Sequence, residues 1–241
     1  MADLRIPSLQ HLARNLANKP ETVSNRLVRL ALNPPNFSYD PLFGAVKDLL
    51  ILGQPYDEVL RGISKIRRQV VRDRLLEILP LIHGHFSGVN PDFYQLVGRR
   101  HYPVGRGLMV PFEPPMIYGI GGQLYFPWFI FWRTNPLKIT DERLSLFVTL
   151  VDEILMQDPD LDTAYFQILD FSSPKPKLPR ELEVIDTRDI PRISEKRKIE
   201  MLECFAEGFN QALVKLKGMP APSKEERDTQ DKDSKQPGLF D

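Results

Sequence analysis

A chain of 241 residues that is 42% hydrophobic has enough apolar side chain to bury a core of its own, and one domain or slightly more is expected. Its 32 basic and 32 acidic residues cancel, so no overall field draws it to nucleic acid or an anionic membrane, and any such attraction has to come from a local patch. The single cysteine, Cys204, excludes an internal disulfide framework and a cysteine-rich zinc site.

The first stretch, MADLRIPSLQ, lacks the charged-then-apolar order of a secretory leader. Ser8 is placed to cap a helix over LQHLARNLAN, in which Leu9, Leu12 and Leu16 recur at helical spacing. Pro20 falls in the first turn expected of ETVSNRLVRLAL, and the NPP at 33–35 stops it. A third helix, LFGAVKDLLILG, starts at Asp40-Pro41 and ends at Gly53. From Pro55 one long helix is expected, YDEVLRGISKIRRQVVRDRLLEIL. It carries Val59, Ile63, Ile66, Val70 and Leu75–Leu76 on one side, and Pro80 ends or kinks it.

From about Gly98 the pattern turns to strands. GRGLMVPFEPP, MIYGI and QLYFPWFIFW are rich in aromatic and branched residues, with Gly121-Gly122 as a hairpin turn. That apolar run is broken by Gly119, Gly121, Gly122, Gln123 and Pro127, short of a membrane span. A cytoplasmic protein with no membrane partner is expected. Asp141 caps ERLSLFVTLVDEILMQ; AYFQILDFS and LEVID read as strands around the loop SSPKPKLPR. Ser194 then opens a last helix, EKRKIEMLECFAEGFNQALVKL, closed by Gly218. The expected fold is α+β: a helical part over 1–95, then a small, mostly antiparallel sheet with two packing helices over 96–219. A disordered C-terminal tail follows, with a linker over 220–235 and a terminal segment, 236–241.

Groups able to do chemistry are few. His83 and His85 form an H-x-H pair, but no zinc-binding spacing accompanies them or the other histidines, His11 and His101, so neither a metal nor another cofactor is expected. Asp170 and Glu183 approach each other if their strands pair, as a metal-dependent nuclease requires, yet no E-x-K follows. Cys204 falls on the apolar side of its helix with Met201, Leu202 and Phe205. The glycines at 105–107 and 119–122 lack phosphate-loop spacing. No catalytic residue is assigned, and an enzyme, nuclease-like, is the third-ranked reading.

Nucleic-acid binding ranks second. Arg61, Lys65, Arg68 and Arg72 recur every three or four residues, so in one continuous helix they form a basic face suited to phosphates, with Arg99-Arg100 as an extension. The segment SLQHLARNLANKPETVSNRLVRLAL adds a helix–turn–helix cadence. Aromatic residues crowd 118–132, and the second strand there, QLYFPWFIFW, is apolar on both alternating faces and reads as a central strand covered on both sides, with Trp132-Arg133 where a partner groove would have its rim.

Residues 221–238 contain no aromatic and no aliphatic residue larger than alanine, and such a segment gains too little from burial to order its backbone. Then come Gln236, Pro237, Gly238, Leu239 and Phe240. This Q-x-x-L-F pattern resembles the short peptide by which bacterial polymerases, mismatch-repair proteins and replication regulators bind the β sliding clamp. The resemblance implies that Gln236 hydrogen-bonds at the rim of a clamp pocket while Leu239 and Phe240 fill its apolar floor. Pro237 stands where that family prefers leucine. The eukaryotic clamp peptide needs two further aromatic positions that the single following residue, Asp241, does not supply. The leading expectation is an accessory or regulatory protein of bacterial DNA replication or repair that docks on the clamp, or an inhibitor or toxin of replication that occupies its pocket.

Overall fold

A computed structural model describes residues 4–33, 38–113, 115–133, 141–175 and 177–219. Ser8 precedes the first helix, α1 (Leu9–Asn15), although its hydroxyl pairs with the His11 ring at 2.8 Å and not with a backbone N–H. Pro20 is the first residue of α2 (Pro20–Leu32), and α3 (Asp40–Leu50) begins at the Asp-Pro pair.

The long helix expected from Pro55 is two helices. The first, α4 (Tyr56–Ser64), ends at Lys65, Arg68 is extended at φ −76°, ψ 105°, and α5 (Gln69–Phe86) starts afresh. The break rephases the apolar stripe: Val71 and Leu75 point inward, while Val70, expected on the buried side, is 42% exposed. Pro80 does not end α5, which runs six residues further. Its ring is on the exposed face, where the carbonyl it deprives of a donor can be hydrated.

The strands follow as β1 (Phe93–Gln95), β2 (Arg100–Gly105), β3 (Leu108–Phe112), β4 (Ile117–Ile120) and β5 (Gln123–Ile130). After them come α6 (Glu142–Leu155), β6 (Tyr165–Asp170), β7 (Glu183–Asp186) and α7 (Glu195–Leu216). The caps expected for the two late helices are present: Asp141 accepts the Arg143 N–H, and the Ser194 hydroxyl accepts that of Arg197. Five strands form one sheet in the order β1-β4-β5-β6-β7, antiparallel except for the β5–β6 pair, which α6 connects. Gly121 and Gly122 make the β4–β5 turn with φ of 57° and 83°, the left-handed pair a two-residue hairpin needs. Strands β2 and β3 form a separate hairpin, in which Pro103 and Pro111 remove ladder donors.

Both faces of the sheet are covered. Phe126, Trp128, Ile130, Phe166 and Ile168 bury into a core shared with α1, α2, α6, α7 and the β2–β3 hairpin. Phe129, Phe131, Leu169 and Phe171 face a second core built with α3, α4 and α5. The helices of residues 1–95 therefore divide between the two faces, and β1 joins the sheet through β4.

Helices α2 and α7 touch at Gly208. A Cβ there would lie 2.6 Å from both the Pro20 carbonyl and the Val23 Cβ. Gly208→Ala is expected to destabilise the fold by about 1–3 kcal/mol, because overpacking outweighs the gain in helix propensity. Gly84→Ala, on open space in α5, is the control and stabilises by up to about 1 kcal/mol. Urea denaturation of the two variants checks the opposite signs.

Candidate functional site

The four basic residues of the expected helical face cluster around the α4–α5 elbow and do not form a stripe. Arg61 lies on α4, where its Nε donates to the Asp57 carbonyl at 3.2 Å and its guanidinium stands 3.5 Å from Glu58. Lys65 caps the end of α4 and Arg68 precedes α5. Arg72, one turn into α5, donates to the Ile66 carbonyl at 3.2 Å and so braces the elbow from inside. Arg67 and Arg74 share this corner, so residues 61–74 hold six cations and one acid, Asp73. Arg61, Lys65, Arg67 and Arg74 are exposed. Among the described residues Lys65 and Arg67 make no ion pair. Helices α4 and α5 are joined by the four residues Lys65–Arg68; the segment read with a helix–turn–helix cadence forms α1 and α2, joined by residues 16–19, and these pack into the core on the opposite face of the sheet. Arg99 pairs with Glu113 at 2.9 Å and Arg100 binds Asp158.

The expected β6–β7 pairing forms and sets Asp170 opposite Glu183. Asp170 is buried and accepts the Ser172 N–H at 2.9 Å, and Glu183 is exposed. Among the described residues no group of three His, Cys, Asp or Glu could hold a metal ion. His83 and His85 fall on a helix, where residues two apart point in different directions. One stacks on Tyr56 at 4.3 Å and the other meets Phe86 at 4.7 Å. The rim expected at Trp132-Arg133 is used internally: the Arg14 guanidinium lies 4.0 Å above the Trp132 ring, and Arg133 bonds both Glu77 oxygens, at 2.8 and 2.9 Å.

Sequence reasoning missed Arg180, in the loop between β6 and β7. Its side chain is 1% exposed. Nη1 donates to the Phe131, Trp132 and Phe171 carbonyls, each at 3.0 Å, and Nε donates to Glu77 at 3.2 Å. This arginine fills the carboxyl end of the parallel β5–β6 pair, the place where open sheets with parallel strands commonly bind ligands.

A cleft of about 540 Å³ opens where α1, α2, α6 and α7 meet, with Cys204 on its wall. Its charged rim is already satisfied. Arg197 bonds Glu142 and Glu200, Arg143 bonds Asp141, and Arg26 donates to the Leu16 carbonyl at 2.6 Å, closing the end of α1. The Cys204 thiol sits 3.2 Å from the Ala17 carbonyl, and burial pushes its pKa up, so it is protonated at neutral pH and a poor nucleophile. A second polar cluster pins the β2–β3 hairpin to α6 and α7. Lys198 lies between Glu153 and Glu195 at 2.6 and 2.7 Å, and the Tyr102 hydroxyl donates to Glu153 at 2.6 Å. Burial opposes the Lys198 charge, but the two carboxylates outweigh it and hold the ammonium above its usual range. Burial and Glu153 likewise raise Tyr102, so neither group is a base at neutral pH.

His11 gives the body a pH dependence. Burial, and secondarily the Arg14 cation, push its imidazole down to about 4, whereas an unfolded histidine titrates near 6.5. The unfolded chain thus binds the extra proton first. The stability due to neutral His11 is complete above pH of about 6.5 and declines as pH falls toward 4, by about 2–3 kcal/mol. Denaturation of the natural chain and His11→Gln between pH 7 and 4.5 is expected to show a steeper decline in the natural chain.

Gln236, Leu239 and Phe240 lie outside the described residues. The described chain leaves the body at the exposed end of α7, over Lys217–Met219. Among the described residues no helix is long and apolar enough to cross a membrane. Comparison with protein-family models, with curated proteins and with solved structures finds no match.

Proposed function

We propose that this protein docks on the bacterial β sliding clamp through Gln236, Leu239 and Phe240, as an accessory or regulatory protein of DNA replication or repair. The observation that carries the reading is Q-x-x-L-F at 236–240, following fifteen residues, 221–235, without a large apolar side chain. Two large apolar side chains after such a stretch gain nothing from burial unless a surface receives them, and the glutamine three residues before the leucine supplies a polar contact at the edge of such a pocket. Burying Leu and Phe contributes roughly 1.5–3 kcal/mol each, less the cost of ordering the segment. Micromolar affinity, about −8 kcal/mol, is then near the upper limit for one peptide. The clamp is a ring with more than one pocket, so a second contact from the body or a second chain raises avidity.

A labelled peptide of residues 230–241 titrated with purified clamp tests this reading. Saturable binding, competed by a known clamp-binding peptide, is expected; no binding at tens of micromolar clamp sinks it. A second reading, in which the body itself contacts nucleic acid, is favoured by the cations of the α4–α5 elbow and is independent of the tail. Together the two describe a protein held at the clamp and touching the DNA it encircles.

A further inference from the structure

We propose that the α3–α4–α5 unit binds double-stranded DNA, with the α4–α5 elbow against the phosphates and the first two turns of α5 in the major groove. The inference rests on the second reading above and adds to it the form of nucleic acid and the element that enters the groove.

The packing supplies the scaffold. Leu42, Val46, Leu50, Val59, Ile63, Val71 and Leu75 form one apolar interior among three short-linked helices. Further along, α5 buries Ile78, Leu79, Ile82 and Phe86 in the same core, with the Phe86 ring 6.2 Å from Tyr118 of β4. Its carboxyl half is thereby held to the sheet. On its amino half, the side away from Val71 and Leu75 presents Gln69, Val70, Asp73 and Arg74, all exposed. Two helices joined by a turn of three or four residues, the second with a polar outer face, is the arrangement that places a helix in the major groove of B-DNA.

The chemistry selects the duplex. Arg61, Lys65 and Arg67 stand exposed beside this face, placed to neutralise phosphates on either side of the groove. Gln69 and Asp73, one turn apart, carry the amide and carboxylate that read adenine and cytosine edges. Proteins that hold single strands stack bases on aromatic side chains, and residues 61–74 contain none. The major groove of A-form RNA is too narrow to admit a helix. Double-stranded DNA is therefore the occupant that fits both the charge and the shape.

The test uses the full chain and, in parallel, the chain ending at residue 235, so that clamp docking has no part in the result. Fluorescence anisotropy with a random 30-base-pair duplex, the matching single strand and an RNA duplex is measured from low to physiological salt. The duplex DNA is expected to bind tightest, with equal affinity for both chains. Lys65→Ala and Arg67→Ala should each reduce the slope of log affinity against log salt by about one. The double reversal Lys65→Glu/Arg67→Glu should weaken binding at least tenfold with an unchanged circular dichroism spectrum. Selection from a random duplex pool should return a base preference that Gln69→Ala relaxes without changing the salt slope. Equal or tighter binding of the single strand or of RNA overturns the inference even where the reversals weaken binding. Absence of duplex binding at low salt overturns it together with the second reading, and leaves clamp docking standing.

Discussion

In the intact chain, the pair Leu239→Ala and Phe240→Ala is expected to weaken clamp binding by at least about 100-fold. Each truncation removes most of a large apolar side chain from a pocket, and two such losses total about 3–5 kcal/mol, where every 1.4 kcal/mol is a factor of ten. Gln236→Ala costs less, about 0.5–1.5 kcal/mol for one hydrogen bond. Pro237→Leu restores the residue preferred at that position in the resembling peptides and should tighten binding. All four residues lie beyond the described part of the chain, so thermal unfolding of the body should not change in any variant. Surface plasmon resonance with the clamp immobilised reads the affinities directly. Equal affinity for the natural chain and the double-alanine variant would contradict docking by this segment.

The largest effect on the body is expected at Arg180. Replacing it with Met keeps most of the volume but removes the donor to the Phe131, Trp132 and Phe171 carbonyls and one of the cations on Glu77. Breaking a buried, hydrogen-bonded charge in this way typically costs about 3–5 kcal/mol, because the groups left behind stay desolvated. At about 2–4 °C per kcal/mol for a chain of this size, the melting temperature should fall by about 10 °C. Lysine carries its three N–H donors on a single nitrogen, which cannot reach the three carbonyls and replace the separate Nε contact to Glu77 at once, so Arg180→Lys should recover only part of the loss. Arg188→Met, which removes a guanidinium 73% exposed, is expected to leave the melting temperature unchanged. A small effect at Arg180 would show that the carboxyl end of the β5–β6 pair does not depend on it.

Local chemistry made much of this fold readable. Ser194 and Asp141 announce α7 and α6 because a side-chain oxygen before an apolar-periodic run satisfies a free backbone N–H, and Gly121-Gly122 announces a turn because few other residues adopt positive φ twice. The aromatic run at 124–132 reads as a strand covered on both faces, and its side chains do alternate between two cores. Long-range choices left no local trace. The elbow at Lys65–Arg68 contains neither glycine nor proline, so the stripe from Val59 to Leu76 looked continuous. After the break Val71 meets the core and Val70 does not. Nothing in a helical pattern says which sheet face it will cover, so the division of α1–α2 from α3–α5 was hidden as well. Arg180 sits in a proline-rich loop with no periodicity, and its partners come from positions as distant as Glu77. Of the basic cluster, the residue types were legible and the arrangement was not: a stripe was expected, and a corner is found.

An extract of the native cell tests docking at 236–241 without choosing the partner in advance. The full chain and the chain ending at residue 235 serve as baits, and captured proteins are quantified by mass spectrometry. The β clamp is expected to be enriched by the full chain and lost with the shortened one. A clamp absent from both captures, or captured equally by both, would contradict it.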